Sequence, residues 1–185
     1  MMPEIALNIL DVAENSVRAD ASLVEITVAV QTKEDTLTVM IKDNGCGMSE
    51  TQVEKVMDPF FTTRKTRKVG LGVPFFKQAA ECTGGSFTIT SQEGTGTVVT
   101  AIFGLSHIDR MPLGDMNATI HTLVVFNQSI DFIYTYCYDD KSFVLDTREL
   151  KEILGDVSFQ TAEVSGFIKE YLSENEADTD GGADV

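Results

Sequence analysis

Asp11 and Asn15 lie four positions apart within residues 4–19, where Ile5, Ile9, Val12, Ala13, Ser16 and Val17 recur at helical spacing. An i, i+4 pair on a helix aims both side chains at one point. A carboxylate and an amide oxygen that converge can hold a hydrated Mg²⁺ or orient a water against it. A second cluster, Asp43-Asn44-Gly45-Cys46-Gly47-Met48, directly follows an alternating segment. A carboxylate at a strand end can accept hydrogen bonds from an exocyclic base amine. Glycines behind it let the backbone approach a flat ring without a Cβ collision. The third cluster runs from Asp58-Pro59-Phe60-Phe61-Thr62-Thr63-Arg64 through Lys65, Thr66, Arg67 and Lys68 to Gly70-Leu71-Gly72. Hydroxyls, cations and glycine amides ahead of a helix start make a phosphate cradle, and a loop of this kind can close over its ligand. Taken singly, each cluster has a plainer reading: a polar helix face, an Asp-Asn-Gly turn, a solvated basic loop.

The elements that would position these residues can be read from periodicity. Helix 4–19 is followed by Val24, Ile26, Val28 and Val30 in alternation. Leu37, Val39 and Ile41 alternate again after a polar turn, which predicts a hairpin with one buried face. Ser49 and Gln52 form a capping box for a short helix ending near Met57. Pro74 suits a first helical turn, and the helix through Cys82 should stop at Gly84-Gly85. Residues 86–91 and 97–103 alternate as two more strands around Gly94-Thr95-Gly96. The order predicts an α+β fold: a two-layer α/β sandwich whose mixed sheet carries helices on one face.

The expected first domain is 1–105, followed by a linker at 106–112. A small α/β module at 113–175 comes next, with a helix at 113–126, strands at 130–138 and 142–145, and helices at 147–154 and 160–174. The acidic, glycine-containing residues 176–185 read as a disordered tail.

Composition narrows the partners. The 185 residues are 43% hydrophobic, enough for a packed core, and carry a net charge of −15. That balance argues against gripping a nucleic-acid backbone. Arg64, Lys65, Arg67 and Lys68 gather four of the fourteen basic residues, which suits a small anionic ligand. Cys46, Cys82 and Cys137 have no metal-ligand spacing and fit a reducing compartment. No apolar stretch approaches the roughly 18–20 residues that span a bilayer, so the chain is expected to be soluble and cytoplasmic, without a membrane partner.

In order and content the clusters resemble the ATP-binding domain shared by DNA gyrase-type topoisomerases, Hsp90 chaperones, histidine kinases and MutL, the GHKL superfamily with its Bergerat fold. Leu10-Asp11-Val12-Ala13-Glu14-Asn15-Ser16 is similar to its N box and Asp43 to Met48 to its Asp-x-Gly-x-Gly box. Asp58 to Arg64 is similar to the F box of histidine kinases. Gly70-Leu71-Gly72-Val73 and Gly94-Thr95-Gly96-Thr97 are similar to its last two glycine boxes. The resemblance covers residues 5–103 and is nearest to the histidine-kinase-type domain, which is expected here to stand alone.

What the resemblance implies is ATP and Mg²⁺ as ligands, with Asn15 on the metal and Asp43 on the adenine amine. Gly45, Gly47 and Met48 would lie beside the base, and Thr97 would support Asp43 or a bridging water. Phe61, Thr62, Arg64, Lys65, Arg67 and Lys68 would form the lid, and Gly70, Leu71 and Gly72 the phosphate-binding turn. Asp11 is the candidate catalytic base. It stands where the hydrolysing branches have a glutamate, a change that draws the carboxylate back by about one bond.

A kinase-like protein needs a phosphoacceptor. Ser106 to Leu113 is similar to the family's His-x-x-Arg-x-Pro-Leu box, but it follows the ATP domain, displaces the acidic residue by one and has no upstream helix. His107 therefore reads as a linker residue, and His121 as a core or interface residue.

The expected function is a protein-kinase-like phosphotransferase or slow ATPase in bacterial regulation, acting on an unidentified protein, with a homodimer as one form. The alternative is a nucleotide-controlled interaction module. It would assist a partner complex, as suggested by a likeness to small ATP-binding proteins that accompany redox enzymes such as hydrogenases.

Overall fold

The computed structural model describes residues 2–58 and 72–185. Helix α1 spans Ile5–Arg18 and buries Ile5, Ile9, Val12 and Ala13. Its first backbone N–H groups have no side-chain cap. Ile5 N and Ala6 N donate instead to the carbonyls of Pro112 and Leu113, at 3.0 and 2.8 Å. The segment expected as a linker therefore closes the start of the helix that carries Asp11 and Asn15.

Strands β1 (Leu23–Gln31) and β2 (Thr36–Asp43) form the expected hairpin. Val24, Ile26, Val28 and Val30 are buried on one face, opposite Leu37, Val39 and Ile41 of β2. Helix α2 (Glu50–Val56) starts at the expected capping box, with Ser49 accepting from Gln52 N. Helix α3 (Gly72–Glu81) buries Phe76, which packs against Phe87 and Phe103 with ring centroids 6.0 and 5.9 Å away. Strands β3 (Ser86–Gln92) and β4 (Gly96–Gly104) follow.

The remaining elements are α4 (Met116–Phe126), β5 (Asp131–Tyr138), β6 (Lys141–Asp146), α5 (Thr147–Leu154) and α6 (Ala162–Asp180). The sheet has six strands in the order β3-β4-β2-β1-β5-β6. It is mixed, because β5 lies parallel to β1 while every other pair is antiparallel. The strands expected to form a separate C-terminal module thus extend the first sheet. Phe132, Tyr134 and Tyr136 stand beside Val24, Ile26 and Val28 in the β1–β5 pair and are all buried. Helices α3, α1, α4 and α6 touch in that succession.

The expected disordered tail is corrected. Helix α6 continues through Asp180 before Gly181 ends it with φ +70°. Thr179 is buried and donates to Asn175 O at 2.6 Å, while Tyr136 donates to Asp180 Oδ2 at 3.0 Å. Beyond the helix, Leu113 N donates to Val185 O at 2.8 Å. These contacts order a segment whose acidic composition alone argued for solvent.

Candidate functional site

The register of three strands builds the floor of the site. Asp43 pairs with Thr97 across β2–β4, and Thr97 pairs with Ser91 across β3–β4. Directly opposed residues project from the same side of a sheet, so Asp43, Thr97 and Ser91 form one polar row. Two residues inward, Ile41, Val99 and Ile89 form the next row on that side, and this row is apolar.

Helix α1 closes over these rows with Val12, Asn15 and Ser16, joined by Ala19 just past its end. Met48, Val56 and Val73 complete a cavity of about 210 Å³. Asp43, Cys46, Gly47 and Thr97 also line it. The result is an apolar slot with a few convergent polar groups, the usual make-up of a small-molecule site.

Asp43 is held in one orientation. Ser16 donates to its Oδ2 at 2.6 Å, and Gly45 N donates to its Oδ1 at 2.9 Å. Each oxygen keeps a further lone pair for a ligand donor. The loop after it is fixed from several sides. Asn44 Oδ1 accepts from Ser22 N and Leu23 N, both at 2.9 Å, and Cys46 N donates to Ala19 O at 2.9 Å. Gly47 has φ +66°, and a Cβ there would stand 1.9 Å from the Gln92 carbonyl oxygen. Its missing side chain therefore lets the loop lie directly on the end of β3. On the other side, Gly94 N donates to Cys46 O at 2.7 Å, tying the two glycine boxes together.

On α1, Arg18 Nη1 donates to Asn15 Oδ1 at 3.0 Å and Arg18 Nη2 to Glu14 Oε2 at 2.5 Å. Asp11 faces the start of α3, where an added Cβ at Gly72 would come within 3.0 Å of the Asp11 Cβ. Among the described residues, no three His, Cys, Asp or Glu side chains are gathered to hold a metal.

The fold brings together Asn15, Asp43, Gly45, Gly47, Met48 and Thr97, and sets Asp11 against Gly72. Phe61, Thr62, Arg64, Lys65, Lys68, Gly70 and Leu71, with Arg67, lie outside the described residues. Arg18 and Ser91 are contributors that motif reading passed over, and Ser16 is one to which it gave no role. Ser16 was visible on the apolar helix face and within the N box but was given no role there, and Ser91 depended on a register that periodicity does not fix.

A second hollow, of about 430 Å³, lies between the C-terminal residues and the start of α1. Its walls include Glu4, Glu176, Asp180 and Asp184. Burial pushes the Glu176 carboxyl up, with Asp180 and Asp115 adding to the rise and the Asn117 hydrogen bond opposing it. So anionic a lining does not suit a phosphate-bearing ligand. His107 sits in the turn after β4, where its backbone N–H donates to Gly104 O at 3.2 Å and its Nδ1 accepts from Asp109 N at 3.2 Å. His121 shares a 2.8 Å hydrogen bond with Ser165 across α4 and α6.

Comparison with known proteins identifies the family. The histidine kinase-, DNA gyrase B- and HSP90-like ATPase family matches residues 4–107, so this chain belongs to that family and carries an ATP-binding domain of the GHKL type. A probable C4-dicarboxylate sensor kinase of Bacillus subtilis is 32% identical over 78 residues, 42% of this chain and 15% of that protein. The sensor histidine kinase WalK of the same organism is 35% identical over 82 residues, 42% of this chain and 13% of WalK. The signal transduction histidine-protein kinase AtoS of Escherichia coli is 30% identical over 107 residues, 57% of this chain and 17% of AtoS. The matches thus span only a small part of these relatives. The N-terminal domain of a DNA repair protein shares the fold, with a TM-score of 0.58 at 14% identity over 78% of this chain and 53% of that one. Among the described residues, no helix is long and apolar enough to cross a membrane.

Proposed function

We propose that this protein binds Mg–ATP with its adenine in the slot between α1 and the β2–β4–β3 rows, and acts as a kinase-type phosphotransferase or slow ATPase on a protein partner. The observation that carries this reading is the Asp43 carboxylate, fixed by Ser16 and Gly45 at the polar end of an otherwise apolar cavity. A 6-amino group is the donor such an acceptor selects. Phosphates would leave the slot past Asn15 toward Gly72.

Asn15 would hold Mg²⁺, which when bound neutralises phosphate charge. The Asn15 oxygen accepts from Arg18, so guanidinium and cation compete for one atom. Asp11, which lies beside Gly72, would act on a water near the phosphates. Its shorter reach than a glutamate fits slow turnover.

A second reading has its own support. The β1–β5 pairing and the α1–α4 contact join the nucleotide slot to the C-terminal half, giving ATP a route by which to control a partner, including a redox complex, without phosphotransfer. A γ-labelled ATP assay on the purified complex separates the two, because only the first reading yields labelled partner or released phosphate.

The metal assignment is tested by calorimetry of ATP with and without Mg²⁺. Asn15→Ala is expected to remove the Mg²⁺-dependent gain in affinity, about tenfold, while leaving metal-free binding unchanged. Equal affinities for the two proteins in Mg²⁺ would remove Asn15 from the metal.

A further inference from the structure

Ser91 touches three groups at the polar end of the slot. Its Oγ accepts from Met48 N at 2.8 Å, lies 3.0 Å from Gly96 O, and lies 2.8 Å from Thr97 Oγ1. A hydroxyl has one proton and two acceptor lone pairs. Gly96 O can only accept, so Ser91 gives its proton there. The Met48 N–H takes one Ser91 lone pair, and the other is left for Thr97. One arrangement satisfies all three contacts: Thr97 donates its hydroxyl proton to Ser91. The Thr97 oxygen then faces the cavity as an acceptor only, in the same row as the acceptor-only Asp43 carboxylate.

We propose that Ser91 is a specificity-determining positioning residue, which selects 6-amino purines by fixing the polarity of the Thr97 hydroxyl. The inference rests on adenine occupying this slot, as proposed above. A row of acceptors welcomes the N–H groups of a 6-amino purine, directly or through a water. It opposes the 6-keto oxygen of hypoxanthine or guanine, which would leave buried acceptors facing an acceptor. Without Ser91, the Thr97 hydroxyl is free to rotate and donate, so a 6-keto group gains a partner that it lacks in the native protein.

The experiment measures dissociation constants for ADP and IDP on the full chain, as wild type, Ser91→Ala, Ser91→Thr, Thr97→Val and the Ser91→Ala/Thr97→Val double variant. Ser91→Ala is expected to reduce the ADP-over-IDP preference by about tenfold, the scale of one hydrogen bond. Ser91→Thr, which keeps the hydroxyl, is expected to restore it. In the Thr97→Val background, adding Ser91→Ala is expected to leave the ratio unchanged. A loop disturbance alone would weaken both nucleotides equally and leave the ratio at the wild-type value. That result for Ser91→Ala would overturn the proposal, as would a further change of ratio in the double variant. Wild type that binds neither nucleotide would instead overturn the adenine-slot reading itself.

Discussion

Asp43→Asn is expected to weaken adenine-nucleotide binding by about 100-fold, because it reverses polarity at one of two atoms while keeping the shape of the side chain. Gly45 N must still find an acceptor, so the amide oxygen stays where Oδ1 now accepts it at 2.9 Å. The new amide nitrogen then occupies the place of Oδ2, which accepts from Ser16 at 2.6 Å. It presents a donor to the donor of the base. Hydrogen bonds to a charged group are worth about 1.5–3 kcal/mol, which corresponds to roughly 10- to 150-fold in affinity. Ser16 can rotate to accept instead, so the fold should survive. Titration calorimetry with ADP, alongside a thermal melt of each protein, checks both halves. Affinity within threefold of wild type would remove Asp43 from base recognition.

Gly47→Ala is expected to have the largest effect on stability. The residue has φ +66°, where an L side chain costs about 1–2 kcal/mol. The added Cβ would also lie 1.9 Å from the Gln92 carbonyl oxygen, a backbone atom that cannot swing away. Overpacking of this kind costs about 1–3 kcal/mol more. A combined loss of about 3 kcal/mol lowers Tm by roughly 6–12 °C in a chain of this size. Gly94→Ala is the control: its φ is +74°, but nothing lies within 4 Å of the added atom. It is expected to cost only the conformational part, about 1 kcal/mol. Equal Tm losses for the two variants would show that the contact with the end of β3 contributes nothing.

These two results separate the jobs of neighbouring residues in one motif. In the proposed reading Asp43 acts on the ligand, whereas Gly47 lets the loop seat against Gln92 and Glu93. The motif in the sequence carries both requirements without distinguishing them.

Local features were legible where one short segment contains its own cause. Alternation at Val24–Val30 and Leu37–Ile41 gave β1 and β2, and Ser49 with Gln52 gave the start of α2. The spaced boxes also named residues that the fold gathers in one cavity, among them Asn15, Asp43, Gly47 and Thr97. What stayed hidden depends on long-range register. The parallel β1–β5 pair joins residues more than a hundred positions apart, so its strands read as a separate unit. Ser91 read only as the last residue of an alternating strand until the β3–β4 register set it beside Thr97. The end of α6 was masked by Glu174, Glu176, Asp178 and Asp180, although Val164, Ile168 and Leu172 carry its buried face. Tyr136, from a distant strand, supplies the contact that holds Asp180.

The central claim is the location of the nucleotide, and methyl-labelled NMR with Mg–AMP-PNP tests it directly. The slot is walled by Ile41, Val73, Ile89 and Val99, while Ile120, Leu123 and Leu172 lie in the α4–α6 core and Leu113 beside the acidic hollow. The expected result is saturable shifts at Ile41, Val73, Ile89 and Val99, with Leu113, Leu123 and Leu172 unmoved. Shifts centred on Leu113, or an absence of saturable shifts in the slot, would contradict the account.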